Sequence, residues 1–257
     1  MKQLVLPLTF EEVNQQFESS EVDARMVEFV SPLIDTESEV SKIAASISNS
    51  GKLSFILGHP GVGKSTFLHS LNWRKHIPIR KVIDINANEF LEGDNLNSLF
   101  NEISAICKRE TPYKDQGISA IVLNYLESID EYGESTIKAF FRRLNGLLRT
   151  QPILILWPVT SEDDVSQMLK YTKQVAGTLF TRDKQIIQIT GPKLEDYVDI
   201  ANSTIKVMND GSELSDFGLT NDDLLETFTE FKTTPKIDQN LSESKGILLT
   251  DSIKMGN

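Results

Sequence analysis

The chain has 257 residues, of which 39% are hydrophobic and 25% are charged, and its formal net charge is -11. This composition is typical of a globular protein with one sizeable core. The acidic excess argues against a surface that grips nucleic acid over its whole extent, and it allows only a local basic patch. The single cysteine, Cys107, cannot form a disulfide within the chain, which indicates a reducing compartment. No apolar run approaches the ~20 residues of a membrane helix, so we expect a cytoplasmic protein without a membrane partner.

In chain order, residues 1–49 are predicted to form a helical preamble, with a clear helical stripe at Val40, Ile43 and Ile47. The core is predicted over residues 50–191, where short apolar segments alternate with amphipathic ones. Its predicted strands are residues 53–57, 81–85, 118–126, 153–159 and 185–189. Helices separate these strands, and this alternation is typical of an α/β fold whose five-stranded parallel sheet has helices on both faces.

The pattern changes after the fifth predicted strand. Residues 192–231 are predicted to form a small helical lid, and residues 232–257 are a polar tail or linker. Within the core, one helix is expected to be capped near Glu134 and Ser135, and another is expected to begin with a capping box from Ser161 to Asp164.

The segment after the first predicted strand carries a phosphate-binding signature. Residues 58–65 read Gly-His-Pro-Gly-Val-Gly-Lys-Ser and match G-x-x-x-x-G-K-[ST] at every fixed position. Backbone N–H groups must point inwards around a phosphate, and glycines at 61 and 63 avoid Cβ clashes there. Lys64 is expected to contact the β- and γ-phosphates, and the Ser65 hydroxyl is expected to coordinate Mg²⁺. The predicted nucleotide-binding residues are Gly58, Pro60, Gly61, Val62, Gly63, Lys64, Ser65 and Thr66.

The nucleotide is expected to be ATP, because no N-K-x-D segment, which reads guanine, occurs in the sequence. A nucleotide hydrolase also needs an acidic residue at the end of another strand, which holds the metal through water and activates the attacking water. Two predicted strands offer candidates. The later one continues through Asn124, Tyr125, Leu126 and Glu127, and the earlier one contains Asp84.

The order of these elements resembles that of the AAA+ ATPases and their STAND relatives, over about residues 35–231. Those families have a phosphate loop, helix, strand, helix, acidic strand, helix, sensor strand and helical lid. The resemblance implies that Asn124 and Tyr125 take the place of an acidic pair, so we expect slow or absent hydrolysis. Glu127 is the first candidate to supply the acid, followed by Asp130 and Glu131; all three are equally explained as solvated loop residues.

The resemblance implies two further site residues and an assembly. Thr160 follows the fourth predicted strand, where these families place a polar residue that senses the γ-phosphate. Arg182 precedes the fifth strand, where AAA+ proteins carry an arginine that reaches a neighbouring subunit; a surface arginine is the other interpretation. The usual second sensor is missing, because residues 219–231 contain no arginine. We therefore expect self-association into a ring or filament with ATP, and a protein partner.

Two other functions stay open. Small-molecule kinases of the shikimate kinase type place an acidic residue on the strand that follows the loop helix, where Asp84 would bind the acceptor hydroxyl. Alternatively, the protein binds ATP as a structural or switching element without turnover. Phosphate release measured with and without acceptors distinguishes the kinase, and a comparison of binding with turnover distinguishes the switch.

Overall fold

The computed structural model describes residues 4–5, 33–91, 96–110, 117–126, 129, 131–173, 178–181, 184–191 and 194–231. These residues fall into two compact units. The sheet unit comprises the described parts of Ile34–His59 and Phe67–Thr190, and the helical unit comprises those of Met1–Leu33, Pro60–Thr66 and Gly191–Asn257. Within these residues, each helix is too short or too polar to cross a bilayer.

The strands and helices predicted for the core are present, together with a 3-10 turn and a short helix at Asn88–Leu91 that were not predicted. In chain order they are helix α1 (Ile34–Ser46), strand β1 (Lys52–Leu57), helix α2 (Lys64–His69), a 3-10 turn (Leu71–Trp73), β2 (Ile79–Asn86), α3 (Asn88–Leu91), α4 (Leu96–Arg109), β3 (Ile118–Asn124), α5 (Glu134–Leu148), β4 (Ile153–Val159), α6 (Glu162–Lys173) and β5 (Ile186–Gln188). All five predicted strands are present, and their ends differ from the predicted ones by no more than two residues.

The five strands form one parallel sheet in the order β2-β3-β4-β1-β5. The predicted α/β class is therefore confirmed. After β1 the chain crosses to one edge of the sheet, where it forms β2. It then returns across the sheet through β3 and β4 and passes β1 to form β5 at the other edge. Because parallel crossovers are right-handed, the two directions place their helices on opposite faces of the sheet.

One face of the sheet packs against α4, α5 and α6. Alternation along β1 divides its buried side chains, so that Phe55 joins the core on the α4–α6 side while Ile56 points the other way. Trp157 on β4 is at the centre of that core, with its ring stacked on Phe141. Cys107 lies in the same core, and burial raises the pKa of its thiol to about 12, which keeps it protonated.

Two predicted helix starts have different outcomes. The side-chain cap predicted near Glu134 and Ser135 is wrong, because α5 is preceded by Gly133 as N-cap, which offers no side chain. At the start of α6, the backbone N–H of Asp164 donates to Ser161 Oγ over 3.3 Å, as the predicted capping box requires.

The helical unit contains α7 (Leu194–Met208), a 3-10 turn (Leu214–Phe217) and α8 (Asn221–Phe231). Its core is assembled from apolar residues of these elements and one residue from near the beginning of the chain. The members are Leu4, Ala201, Ile205, Leu214, Phe217, Leu219 and Leu224.

Candidate nucleotide-binding site

The predicted phosphate loop connects the buried strand β1 to α2, which begins at Lys64. Its glycines adopt left-handed backbone conformations, with φ of 80° at Gly61 and 87° at Gly63. L-residues with a side chain are disfavoured in this region, so these positions require glycine. Val62, which lies between these glycines in the sequence, is buried, whereas both glycines are exposed.

These residues fit a bound phosphate. A Cβ built on Gly63 meets no atom of the described residues within 4 Å, so crowding by neighbouring protein atoms is not the reason for a glycine at this position. Successive N–H groups in such turns form a concave anion-binding nest. The Lys64 ammonium supplies positive charge, and the exposed Ser65 hydroxyl supplies the hard oxygen that Mg²⁺ prefers.

Within the sheet unit, the end of β1 lies at the point where the direction of the chain reverses. The adjacent strands β1 and β4 are followed by crossovers to opposite edges of the sheet, and ligands of open α/β sheets bind outside such a switch point. The backbone N–H of Gly58 donates to the carbonyl of Val159 at the end of β4, over 3.2 Å. The structure therefore brings Thr160, the next residue, to the strand end beside the first loop residue.

The predicted acidic position at the end of β3 is held by a polar network. Asn124 Nδ2 donates to Asp84 Oδ1 over 3.0 Å, and Asp84 Oδ2 lies 3.0 Å from His69 Nδ1. The three residues come from β3, β2 and α2. This pairing uses one N–H of the Asn124 amide, and its Oδ1 is an acceptor that could hold a water.

The backbone around Asn124 is also fixed. Its carbonyl accepts a hydrogen bond from Ala87, and the next residue, Tyr125, has φ of 61° with 59% of its surface exposed. The carbonyl of Leu126 then accepts a hydrogen bond from Trp157 Nε1. A bulky residue in a left-handed conformation persists only where its surroundings enforce it, and such residues cluster at functional sites.

No sequence motif singles out His69, and it was not predicted as a site residue. It pairs with Asp84, which contacts Asn124 forty positions further along the chain. The spacing of α2 and β2 does not determine their register, so only the folded sheet reveals this contact. Glu127, Asp130 and Arg182 lie outside the described residues, and their predicted roles stay predictions.

The order of the strands shows whether Asn124 or Asp84 is nearer to the end of β1. Neighbouring strands are about 4.8 Å apart, so the end of β3 lies about 10 Å from β1 and that of β2 about 14 Å. Asn124 is therefore nearer to the end of β1 than Asp84 is.

No model of a known protein family matches the sequence, and no curated protein matches it. Similar solved structures include a Walker-type ATPase of Pyrococcus abyssi, with a TM-score of 0.50 and 13% identity over 84% of this chain and 72% of that chain. Cdc6p from Pyrobaculum aerophilum has a TM-score of 0.47 and 14% identity over 79% of this chain and 54% of that chain. The chain thus spans about half the length of that Cdc6p chain. The likeness to the Walker-type ATPase shows a shared α/β fold.

Proposed function

We propose that this protein binds Mg·ATP through residues 58–66 and hydrolyses it slowly, as an AAA+ or STAND-type ATPase whose nucleotide state controls assembly or a partner. The observation that carries the proposal is the left-handed backbone at Gly61 and Gly63, in a loop that leads from a buried strand to Lys64. Mg·ATP supplies the transferable γ-phosphoryl group and the metal that neutralises its charge. Lys64 and Ser65 would hold these groups.

The expectation of slow hydrolysis rests on Asn124. A neutral amide orients water but does not accept a proton at neutral pH, and a general base is typically worth 10²–10⁴ in rate. The carboxylate nearest to Asn124 among the described residues is Asp84, and both of its oxygens have partners. This arrangement supports binding with weak turnover, and it equally supports a switch that does not turn over.

The small-molecule kinase is the less favoured alternative. It requires Asp84 to bind an acceptor hydroxyl, whereas Asp84 contacts His69 and Asn124 and lies on the edge strand. Compact kinases also do not need the additional strand β4 between the loop strand and the acidic strand.

Equilibrium binding and phosphate release together test this proposal. We expect Mg·ATP to bind more tightly than Mg·GTP, and phosphate to be released slowly at a rate that small hydroxyl acceptors do not change. A lack of Mg·ATP binding up to about 1 mM, the upper end of common enzyme affinities, would sink the proposal. ATP consumption that depends on an acceptor and releases no phosphate would identify a kinase instead.

The assembly part of the proposal rests on sequence alone. Arg182 precedes β5, and an arginine there is suited to a neighbouring subunit's nucleotide if subunits pack head to tail. The net charge of -11 opposes packing, so larger species should require ATP and should tighten with moderate salt. Light scattering with a non-hydrolysable ATP analogue tests this. Arg182→Ala should prevent the shift in size without changing ATP affinity, and an unchanged shift would remove the inter-subunit role.

A further inference from the structure

The short strand β5 forms one edge of the sheet and has a neighbouring strand, β1, on one side only. The N–H of Phe55 donates to the carbonyl of Gln185 over 3.0 Å, and Phe55 lies opposite Ile186 in the register. Since hydrogen-bonding direction alternates along a strand, the backbone groups of Ile186 and Gln188 point away from β1. Within the described part of the chain, no hydrogen bond joins these groups to a partner. The outer edge of β5 therefore offers two N–H donors and two carbonyl acceptors.

A cleft of about 470 Å³ lies along this edge of the sheet unit. Its floor is apolar, because Leu57 and Val165 belong to the core on the α4–α6 side and Ile186 packs against that core. Ile186 and Gln188 line the cleft with their side chains. Side-chain direction alternates with the same period as hydrogen-bonding direction, so the outward-facing backbone groups belong to the same two residues. The cleft thus combines an apolar floor with an open strand edge.

Three charged side chains line the cleft. Glu39 of α1 and Lys184 neutralise each other, since Lys184 Nζ lies 2.5 Å from Glu39 Oε1. Glu162, the first residue of α6, is exposed and lines the cleft as well. The cleft is therefore negative overall, and it is complementary to a ligand with a basic group.

We propose that the edge of β5 is a docking site for an extended segment of a partner protein, one that carries an aliphatic and a basic side chain. Open strand edges bind extended chains by strand addition, in which backbone hydrogen bonds give affinity and pockets for alternate side chains give specificity. Alternate residues of a strand lie about 7 Å apart on one face. An aliphatic residue would cover Leu57 and Val165, and a basic residue two positions away would pair with Glu162. The proposal does not depend on nucleotide binding, so nucleotide-free protein tests it.

Amide hydrogen exchange in the nucleotide-free, full-length chain tests the docking site. The probe is the acetylated and amidated peptide Thr-Lys-Thr-Ile-Thr-Lys-Thr, which has a lysine two positions from its isoleucine on either side and so suits both strand directions. Without the probe, we expect the Ile187 amide, which faces β1, to exchange about tenfold or more slowly than those of Ile186 and Gln188. The probe should slow the latter two by about tenfold and leave Ile187 unchanged.

Two results of this experiment would overturn the proposal. If Ile186 and Gln188 exchange as slowly as Ile187 without the probe, the edge is already covered. If the probe has no effect at several millimolar, the edge does not accept a strand. The control peptide is N-methylated at its central three residues, which removes backbone donors and keeps the side chains. It should bind about tenfold or more weakly, and equal affinity would show that the cleft binds side chains without strand pairing.

Variants of the protein test the backbone and the charge separately. Gln188→Pro removes an outward-facing N–H and no donor of the ladder to β1, so it should weaken probe binding about tenfold, whereas Gln188→Thr should not. Retained slow exchange at Ile187 would confirm that the strand is intact. Glu162→Gln should weaken binding of the lysine probe several-fold and not that of a probe with threonine in place of lysine. Asp163→Asn is the matched control, because Asp163 is also exposed in the first turn of α6. Equal effects of Glu162→Gln and Asp163→Asn would contradict the proposed basic side chain even if Gln188→Pro disrupts β5.

Discussion

The predicted phosphate loop and the end of β3 are built by different means. The loop consists of contiguous residues, and its predicted phosphate contacts are backbone N–H groups in a turn where Gly61 and Gly63 have positive φ. The end of β3 depends on side chains from three elements, where Asn124 is held by Asp84 and Asp84 by His69. A site made of contiguous backbone can be recognised from a sequence motif. A site made of side chains that are distant in the sequence can be recognised only when the fold shows which of them are neighbours.

The second region also explains why an amide is acceptable where the resemblance leads one to expect an acid. The donor of Asn124 lies 3.0 Å from a carboxylate oxygen of Asp84. An aspartate at position 124 would bring two carboxylates together at that separation, and they would repel each other. The resemblance leads one to expect the carboxylate at the end of β3. In this protein the carboxylate of the pair is on β2, and the amide is on β3.

The largest expected effect concerns the loop. Lys64→Ala should weaken Mg·ATP binding by about 100-fold or more, because hydrogen bonds to charged groups contribute about 1.5–3 kcal/mol each and the proposal has the ammonium contact two phosphates. The matched control is Lys170→Ala, since Lys170 is an exposed lysine on α6. Titration of a fluorescent ATP analogue measures both, and equal affinities would sink the assignment of the loop.

The next effect concerns turnover at the end of β3. Exchanging the pair, as Asp84→Asn with Asn124→Asp, keeps one amide–carboxylate hydrogen bond and moves the carboxylate onto the strand nearer to β1. We expect phosphate release to rise about tenfold or more, within the 10²–10⁴ that a general base contributes. Asn124→Asp alone should give a smaller gain at neutral pH. A wild-type rate already typical of active ATPases, unaffected by Glu127→Gln, would mean that the acidic strand is placed wrongly.

A smaller effect is expected on stability. Asn124→Asp alone should lower the free energy of unfolding by about 1 kcal/mol at pH 7, a modest value because Asp84 is 41% exposed and solvent screens the repulsion. Repulsion raises the pKa of one carboxyl in the folded state above its unfolded value. The penalty should therefore shrink as pH falls through that raised pKa, when one carboxyl binds a proton. Urea unfolding at pH 7 and pH 5 measures it, and the exchanged pair serves as the control.

The elements that could be predicted from sequence are those with local causes. The short apolar run of β1 and the apolar stripe of α5 led to the correct strand and helix, and the loop motif led to the correct turn. The insertion of β4 between β1 and β3 could not be predicted, because the sequence of a short apolar strand such as Ile153–Val159 does not indicate which strands pair with it.

Two glycines separate the effect of backbone conformation on stability from the effect of packing. Gly63 and Gly146 each have space for a methyl group, since a Cβ on either meets no atom of the described residues within 4 Å. Gly63 has φ of 87°, where alanine costs about 1–2 kcal/mol, so Gly63→Ala should destabilise the protein by that amount. Gly146 lies within the helix α5, where alanine is favoured over glycine by roughly 0.5–1 kcal/mol, so Gly146→Ala should stabilise it. Thermal unfolding without nucleotide measures both, and shifts of the same sign would show that the loop does not hold its left-handed conformation in solution.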